Sequence, residues 1–298
     1  MIRYYVCNLE NIRDFSVDDV MFKHVNDYKK NIHILREKRR DQLTFYATIP
    51  DKKFAQPSML YGGGKTTSVN DMMILLSLAQ SRNIYFPKAE DISSAETNMW
   101  GMALGGNRKA WGPQVIMDPE IEKFLTISLA KIREPKWLEK TGFKPAVFWW
   151  LESIYEHRPL ETKFISGFIA LEILANIHEH SKRIKNSGVR TRIEALANFY
   201  GWNFMDNILI KDWTVIRDKY MHAGSTKGLK TISNDKRATR YFQLITSVQI
   251  ALIDILGFSN FARRDYVISE IKKPVRKTYK DSGPFPIPSC CDNKGESS

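Results

Sequence analysis

Cysteine is scarce in this chain. There are three, Cys7 and the adjacent pair Cys290–Cys291 in a polar C-terminal stretch. An odd count without a spaced framework excludes a disulfide-stapled scaffold and points to a reducing compartment. Neighbouring cysteines bridge only with strain, and one such pair makes a poor zinc site. Long apolar runs are also missing. No window approaches the roughly 18 consecutive apolar residues of a membrane span, and the opening MIRYYVCNLENIRDF lacks the apolar core of a secretory signal. A cytoplasmic protein without a membrane contact is the expectation. Serine nucleophile elbows, CxxC pairs and acidic clusters at metal-ligand spacing are absent as well, which disfavours a metal-dependent hydrolase and leaves no expected metal or cofactor.

What is present is positive charge. The 298 residues carry a formal net charge of +12, with 43% hydrophobic and 26% charged residues. The hydrophobic content is that of a globular protein. The charge favours a polyanionic partner, nucleic acid first and an acidic membrane surface second. It is spread along the chain rather than gathered in one tract, so a generally basic protein with no such partner stays open.

Texture divides the chain. Residues 1–116 read as a mixed α+β domain. IRYYV and LTFYATI have the aromatic and β-branched content of strands. DDVMFKHVNDYKKNIHILREKRRD, between them, is either a thinly striped helix or a long excursion between strands. SVNDMMILLSLAQSRN reads as a helix capped by Ser or Asn, NIYFP as a strand ended by Pro87, and residues 92–113 as loop. From 117 to 262 the period becomes helical, and six helices joined by short loops make an all-α bundle. The first is expected to start at an Asp118 cap with Pro119 in its first turn; Pro145 and Pro159 open the next two. FISGFIALEILANI is apolar around most of its circumference, the mark of a central, buried helix. Residues 263–298 are basic and proline-rich and are expected to form a disordered tail.

Three motifs invite chemistry. YGGGKTTS lacks the first glycine of a phosphate-binding loop, since Met59 occupies that position, and reads as a flexible turn. In NIHEHSKR, His178 and His180 would point about 200° apart on a helix and cannot share a metal; a polar helix end is the better reading. His24 and His33 have no evident partner. The third is IRDKYMHAGS, where an apolar run ends in Arg217, Asp218 and Lys219, and His222 precedes an Ala-Gly stop. Arg217 and His222 are separated by about 140° and about 7.5 Å, yet an arginine can fold back across that distance. Asp218 and His222, four apart, share a face on which a carboxylate can orient an imidazole. A helix that ends this way for stability alone is the competing reading.

RDKYMHAG at a helix end resembles the arginine-to-histidine signature of the HEPN superfamily. Upstream, Leu171–Glu172–Ile173–Leu174 is similar to the "LEALL"-like segment that the long central helix carries in the branch found in bacterial defence proteins, and VRTRIEALANFYG resembles the arginine-bearing helix that follows. The resemblance covers roughly residues 118–260. It implies an all-α HEPN-like bundle and a metal-independent ribonuclease acting as a homodimer. Arg217 and His222 would be catalytic, with Asp218 as the supporting polar residue. Cleavage by the RNA's own 2′-hydroxyl would leave 2′,3′-cyclic phosphate ends, in the service of a toxin or antiviral effector. An inactive, RNA- or partner-binding relative is the alternative. The N-terminal half would then sense a phage component, restrain the nuclease or mediate assembly. Tyr220, beside the motif, reads as packing rather than as a modification target.

Overall fold

The computed structural model describes residues 1–38, 41–61, 67–87, 114–134, 136–155, 158–181, 184, 187–222 and 232–274, with His222 described in its backbone alone. The glycine-rich turn at 62–66, the tryptophan-bearing stretch around Trp100 and Trp111, and the tail from 275 onward lie outside these residues.

An antiparallel four-stranded sheet opens the chain: β1 (Ile2–Cys7), β2 (Phe15–Val17), β3 (Val20–His24) and β4 (Leu43–Ile49), in the order β1-β4-β3-β2. The two aromatic-rich segments expected as strands are β1 and β4, and they pair with each other, Tyr4 opposite Ala47 and Val6 opposite Phe45. The ambiguous lysine-rich segment resolves into both a strand and a helix. Val20 and Phe22 are buried while Met21 and Lys23 are exposed, the period of two that makes β3. The stretch beyond it forms α1 (Tyr28–Lys38), anchored by buried Ile32 and Leu35. His24, at the end of β3, places Nε2 2.9 Å from the Asn11 carbonyl and packs against Tyr28.

A short helix, α2 (Asp51–Phe54), follows the sheet and leads to α3 (Ser68–Gln80), in which every residue but Asn70 is buried. Its cap is Thr67 rather than Ser or Asn; the Asn70 side chain accepts from the Thr67 N–H at 2.8 Å. NIYFP does not form a strand of its own. Tyr85 makes one bridge to Cys7, with Cys7 N–H donating to the Tyr85 carbonyl at 2.8 Å beside an irregularity in β1.

The remainder is helical: α4 (Ile121–Ile132), α5 (Trp137–Thr141), α6 (Phe143–Ser153), α7 (Leu160–Ile177), α8 (Val189–Tyr200), α9 (Asn207–His222), α10 (Asn234–Ile255) and α11 (Arg264–Ile271). Three expected boundaries shift. Asp118 does not cap α4: the helix begins at Ile121, the Asp118–Pro119 bond is cis, and the Asp118 carboxylate accepts from Arg13 at 2.8 Å. Pro145 lies within the first turn of α6 and not at its start, whereas Pro159 does immediately precede α7. Residues 264–271, read as the start of a disordered tail, form α11 because Val267 and Ile271 are buried, and the Gln243 amide donates to the Ile271 carbonyl at 2.6 Å.

No residue of α7 is fully exposed, as its apolar circumference requires. It is surrounded by α5, α6, α8, α9 and α10. Gly142, with φ at +70°, turns the chain between α5 and α6 so tightly that a Cβ there would sit 2.9 Å from Ile177 Cβ. Two buried aromatic side chains bond across the bundle: Trp150 Nε1 donates to the Ile245 carbonyl at 2.9 Å, and Tyr241 Oη to the Ser153 carbonyl at 2.8 Å. The apolar core is one cluster running from the inner face of the sheet through α3 to α10, and the Gln249 amide on α10 donates to the Leu78 carbonyl on α3 at 2.6 Å. No helix among the described residues is long and apolar enough to cross a membrane.

Beneath the sheet, Glu10 joins Arg82, Arg36 and Gln114, with Arg82 Nη1 2.6 Å and Gln114 Nε2 3.0 Å from its carboxylate. Burial alone would raise the carboxyl pKa, but the adjacent Arg82 and Arg36 guanidinium groups override it and lower it from 4.5 to about 2. A carboxylate depressed on folding adds stability above its unfolded pKa and loses it as pH falls toward its folded value. Denaturant titrations should therefore show stability declining between pH 4.5 and about 2. Glu10→Gln, which removes the carboxylate charge beside buried Arg82, should cost about 3–5 kcal/mol at pH 7 and abolish that part of the acid response.

Candidate functional site

Helix α9 follows from its pattern: Ile210, Trp213 and Ile216 turn inward, and Trp213 Nε1 donates to the Arg240 carbonyl at 3.1 Å. Packed in this orientation, α9 runs antiparallel to α7, with Tyr220 against Phe164 and Arg217 against Phe168 and Glu172. The motif therefore does not project freely into water. Arg217, Asp218, Lys219 and Tyr220 are all half-buried, Arg217 and Tyr220 on the α7–α9 seam.

Arg217 is held on three sides. Its Nη1 donates to Asp218 Oδ1 at 3.0 Å, its Nη2 lies 3.5 Å from Glu172 Oε2, and its guanidinium carbon sits 5.8 Å from the centre of the Phe168 ring. The arginine side chain remains 30% exposed and Asp218 50%, whereas Glu172 is 22% exposed. Two carboxylates thus share one guanidinium, the deeper one from the opposing helix and the shallower one from the next residue. A phosphate arriving from solvent meets Asp218 first and can take its place on the forked face, with Glu172 keeping the fork oriented.

His222 is the last residue of α9. The continuous helix puts it about 40° around from Asp218 and about 140° from Arg217; its side chain, and the Ala-Gly stop, lie outside the described residues. Tyr220 packs edge-on to Phe164 with centroids 5.6 Å apart. Burial raises its hydroxyl pKa, with Glu161 and Arg237 nearby. The hydroxyl oxygen is buried, so the packing reading fits it better than a modification target. About two turns further from the helix end, Asp212 accepts from Arg240 Nε at 2.9 Å and lies 3.4 Å from Lys236 Nζ, which pins α10 to α9.

No family model matches the chain, and neither a curated protein nor a solved structure does. What the site can do rests on its own geometry.

Of the expected residues, Arg217 and Asp218 are brought together. Sequence spacing assigns no role to Glu172 or Phe168. The available signal was the acid itself: Glu172 is the one charged residue within the run FISGFIALEILANI. The His178–His180 reading changes too. Helix α7 ends at Ile177, so the histidines lie beyond it and are not set 200° apart. Their rings stack with centroids 5.4 Å apart, His178 is buried with Nε2 2.8 Å from Tyr200 Oη, and His180 stacks on Phe199 at 3.6 Å. Among the described residues, no group of three or more His, Cys, Asp or Glu is placed to hold a metal.

The partly buried pair between Glu172 and Arg217 is expected to contribute about 0.5–1 kcal/mol. A double-mutant cycle of Glu172→Ala and Arg217→Ala, read by urea unfolding, should return a coupling of that size. Purely additive effects would mean that the two groups do not act on each other.

Proposed function

We propose that the chain is a metal-independent endoribonuclease of the HEPN type, serving as a toxin or antiviral effector in the cytoplasm. The observation that carries this reading is the placement of Arg217: a half-open guanidinium near the end of α9, five residues before His222, oriented from behind by Glu172. RNA carries its own nucleophile, so such a site needs only proton transfer and charge stabilisation. A base takes the 2′-hydroxyl proton, the oxygen attacks phosphorus, the bond to the 5′-oxygen breaks, and an acid protonates that leaving oxygen. The products are a 2′,3′-cyclic phosphate and a 5′-hydroxyl. His222 supplies the titrating group at neutral pH, and Arg217 holds the phosphate oxygens and the charge that builds on them.

One histidine cannot be acid and base in the same step, and a homodimer supplies the second. The outward side of α9 supports that arrangement: Ile208 and Val215, two turns apart on one face of the helix that carries the motif, are 70% and 43% exposed. Lys211 lies four residues before Val215 and Asp218 three after it. A twofold axis near Val215 would therefore set lysine against aspartate between copies, which makes the face self-complementary.

A second reading has an observation of its own. Arg217 is already neutralised by two carboxylates, which is how an arginine kept for stability is usually held. In that case the chain is an inactive HEPN-like protein that binds RNA or a partner, such as a phage or regulatory protein met by the N-terminal half. Labelled RNA incubated with the protein in EDTA separates the two. Under the nuclease reading, His222→Ala lowers cleavage about 10²–10⁴-fold, Asp218→Asn retains it, and the products carry cyclic phosphate ends. Cleavage unaffected by His222→Ala would defeat the nuclease assignment, and a modest loss of thermal stability as the sole effect would support the structural one.

A further inference from the structure

The outer face of the sheet has an unusual composition. Cross-strand register lays it out in two rows, Tyr5–Tyr46–Lys23 and Arg3–Thr48–Met21, across β1, β4 and β3. The alternate residues, Val6, Phe22, Phe45 and Ala47, are buried on the inner face. Arg3, Tyr5, Met21 and Lys23 are exposed. The solvated face of an antiparallel sheet is ordinarily polar. Here none of the four strands contains an aspartate or a glutamate.

We propose that this face binds single-stranded nucleic acid, with bases stacking on Tyr5 and on the Arg3–Tyr46 pair, and with Arg3 and Lys23 facing phosphates. Three features of the face fit that ligand together. Two tyrosines stand directly opposite each other on adjacent strands, about 5 Å apart in the backbone, which gives neighbouring flat surfaces for successive bases. The Arg3 guanidinium carbon lies 4.6 Å from the centre of the Tyr46 ring, and a guanidinium plane laid on a ring is itself a stacking surface for a base. Arg3 on β1 and Lys23 on β3 lie on the two strands either side of β4, with Tyr46 between them and Tyr5 beside Arg3 on β1. A strand crossing the sheet therefore meets positive charge on both outer strands and rings on β1 and β4. Base–aromatic stacking is indifferent to sequence, because every base has a π-face. The face is therefore suited to capture, and it is separate from the α7–α9 site.

The test uses the full chain and a fluorescein-labelled 12-nucleotide 2′-O-methyl RNA, which cannot be cut through a 2′-hydroxyl, so that binding is read independently of any nuclease activity. Fluorescence anisotropy should give a saturable isotherm. Tyr5→Ala and Tyr46→Ala should each weaken binding about tenfold, while Tyr5→Leu and Tyr46→Leu, which keep apolar bulk, should weaken it similarly with melting temperature unchanged. Neutralising two phosphates predicts a slope of log affinity against log salt of about −1.4, falling by about 0.7 for Arg3→Gln or Lys23→Gln. Two results would overturn the assignment: equal affinity for duplex RNA, or unaltered binding by a folded Tyr5→Ala/Tyr46→Ala protein. Loss of binding in the tyrosine variants alongside intact cleavage of a short RNA would leave both sites standing as separate ones.

Discussion

A helix without a polar side has to be enclosed, and in this protein that requirement organises the helical half. Helix α7 has nowhere to place Phe164, Phe168, Leu171 and Leu174 except against other helices, and five of them surround it. The enclosure leaves one electrostatic problem, Glu172, partway along an otherwise apolar surface. Arg217 answers it from α9. The same packing that buries α7 therefore fixes where the guanidinium stands, which way its fork faces and how much of it water can reach. Any chemistry at the motif inherits that geometry from the core. Loosening the α7–α9 seam would release the arginine together with the helix.

The two textures of the chain meet in a shared interior. Gln249 reaches from α10 to the Leu78 carbonyl on α3, and Arg133 reaches from the end of α4 to Asp18 in the β2–β3 turn at 2.5 Å. Asp254 is another junction, accepting from Trp202 Nε1 at 2.8 Å and from both ends of the Arg264 fork. It ties the loop after α8 and the start of α11 to the end of α10. These contacts are polar and directional, and those of Gln249 and Asp254 are partly or wholly buried, so they fix how the pieces are oriented and not merely that they associate.

Much of the fold could be read directly from residue patterns. The β-branched and aromatic runs became β1 and β4, and Pro159 stands immediately before α7 as expected. The misreadings share a cause. A strand of five residues inside a lysine-rich stretch, Val20–His24, is recognisable only once β4 is there to pair with it. Asp118 looks like a helix cap until Arg13, 105 residues earlier in the chain, is brought to it. His178 seemed part of a helix until Tyr200 took its ring. At the candidate site the arginine and its neighbouring aspartate were evident from spacing, since that relation is local. Glu172 was not, because its partner lies on another helix and no periodicity announces a pair across a seam.

The burial of α3 has a bearing on how the protein is made. Twelve of its thirteen residues are buried, and part of that shelter comes from α10, which the ribosome reaches more than 150 residues later. Until Asn234–Ile255 has emerged, the early part of the chain carries an apolar rod with an open flank, a state prone to association with other chains. A product truncated before that point would keep its sheet-forming segments and its arginine motif but would lack the lid over α3. It would depend on chaperones for as long as it lasted.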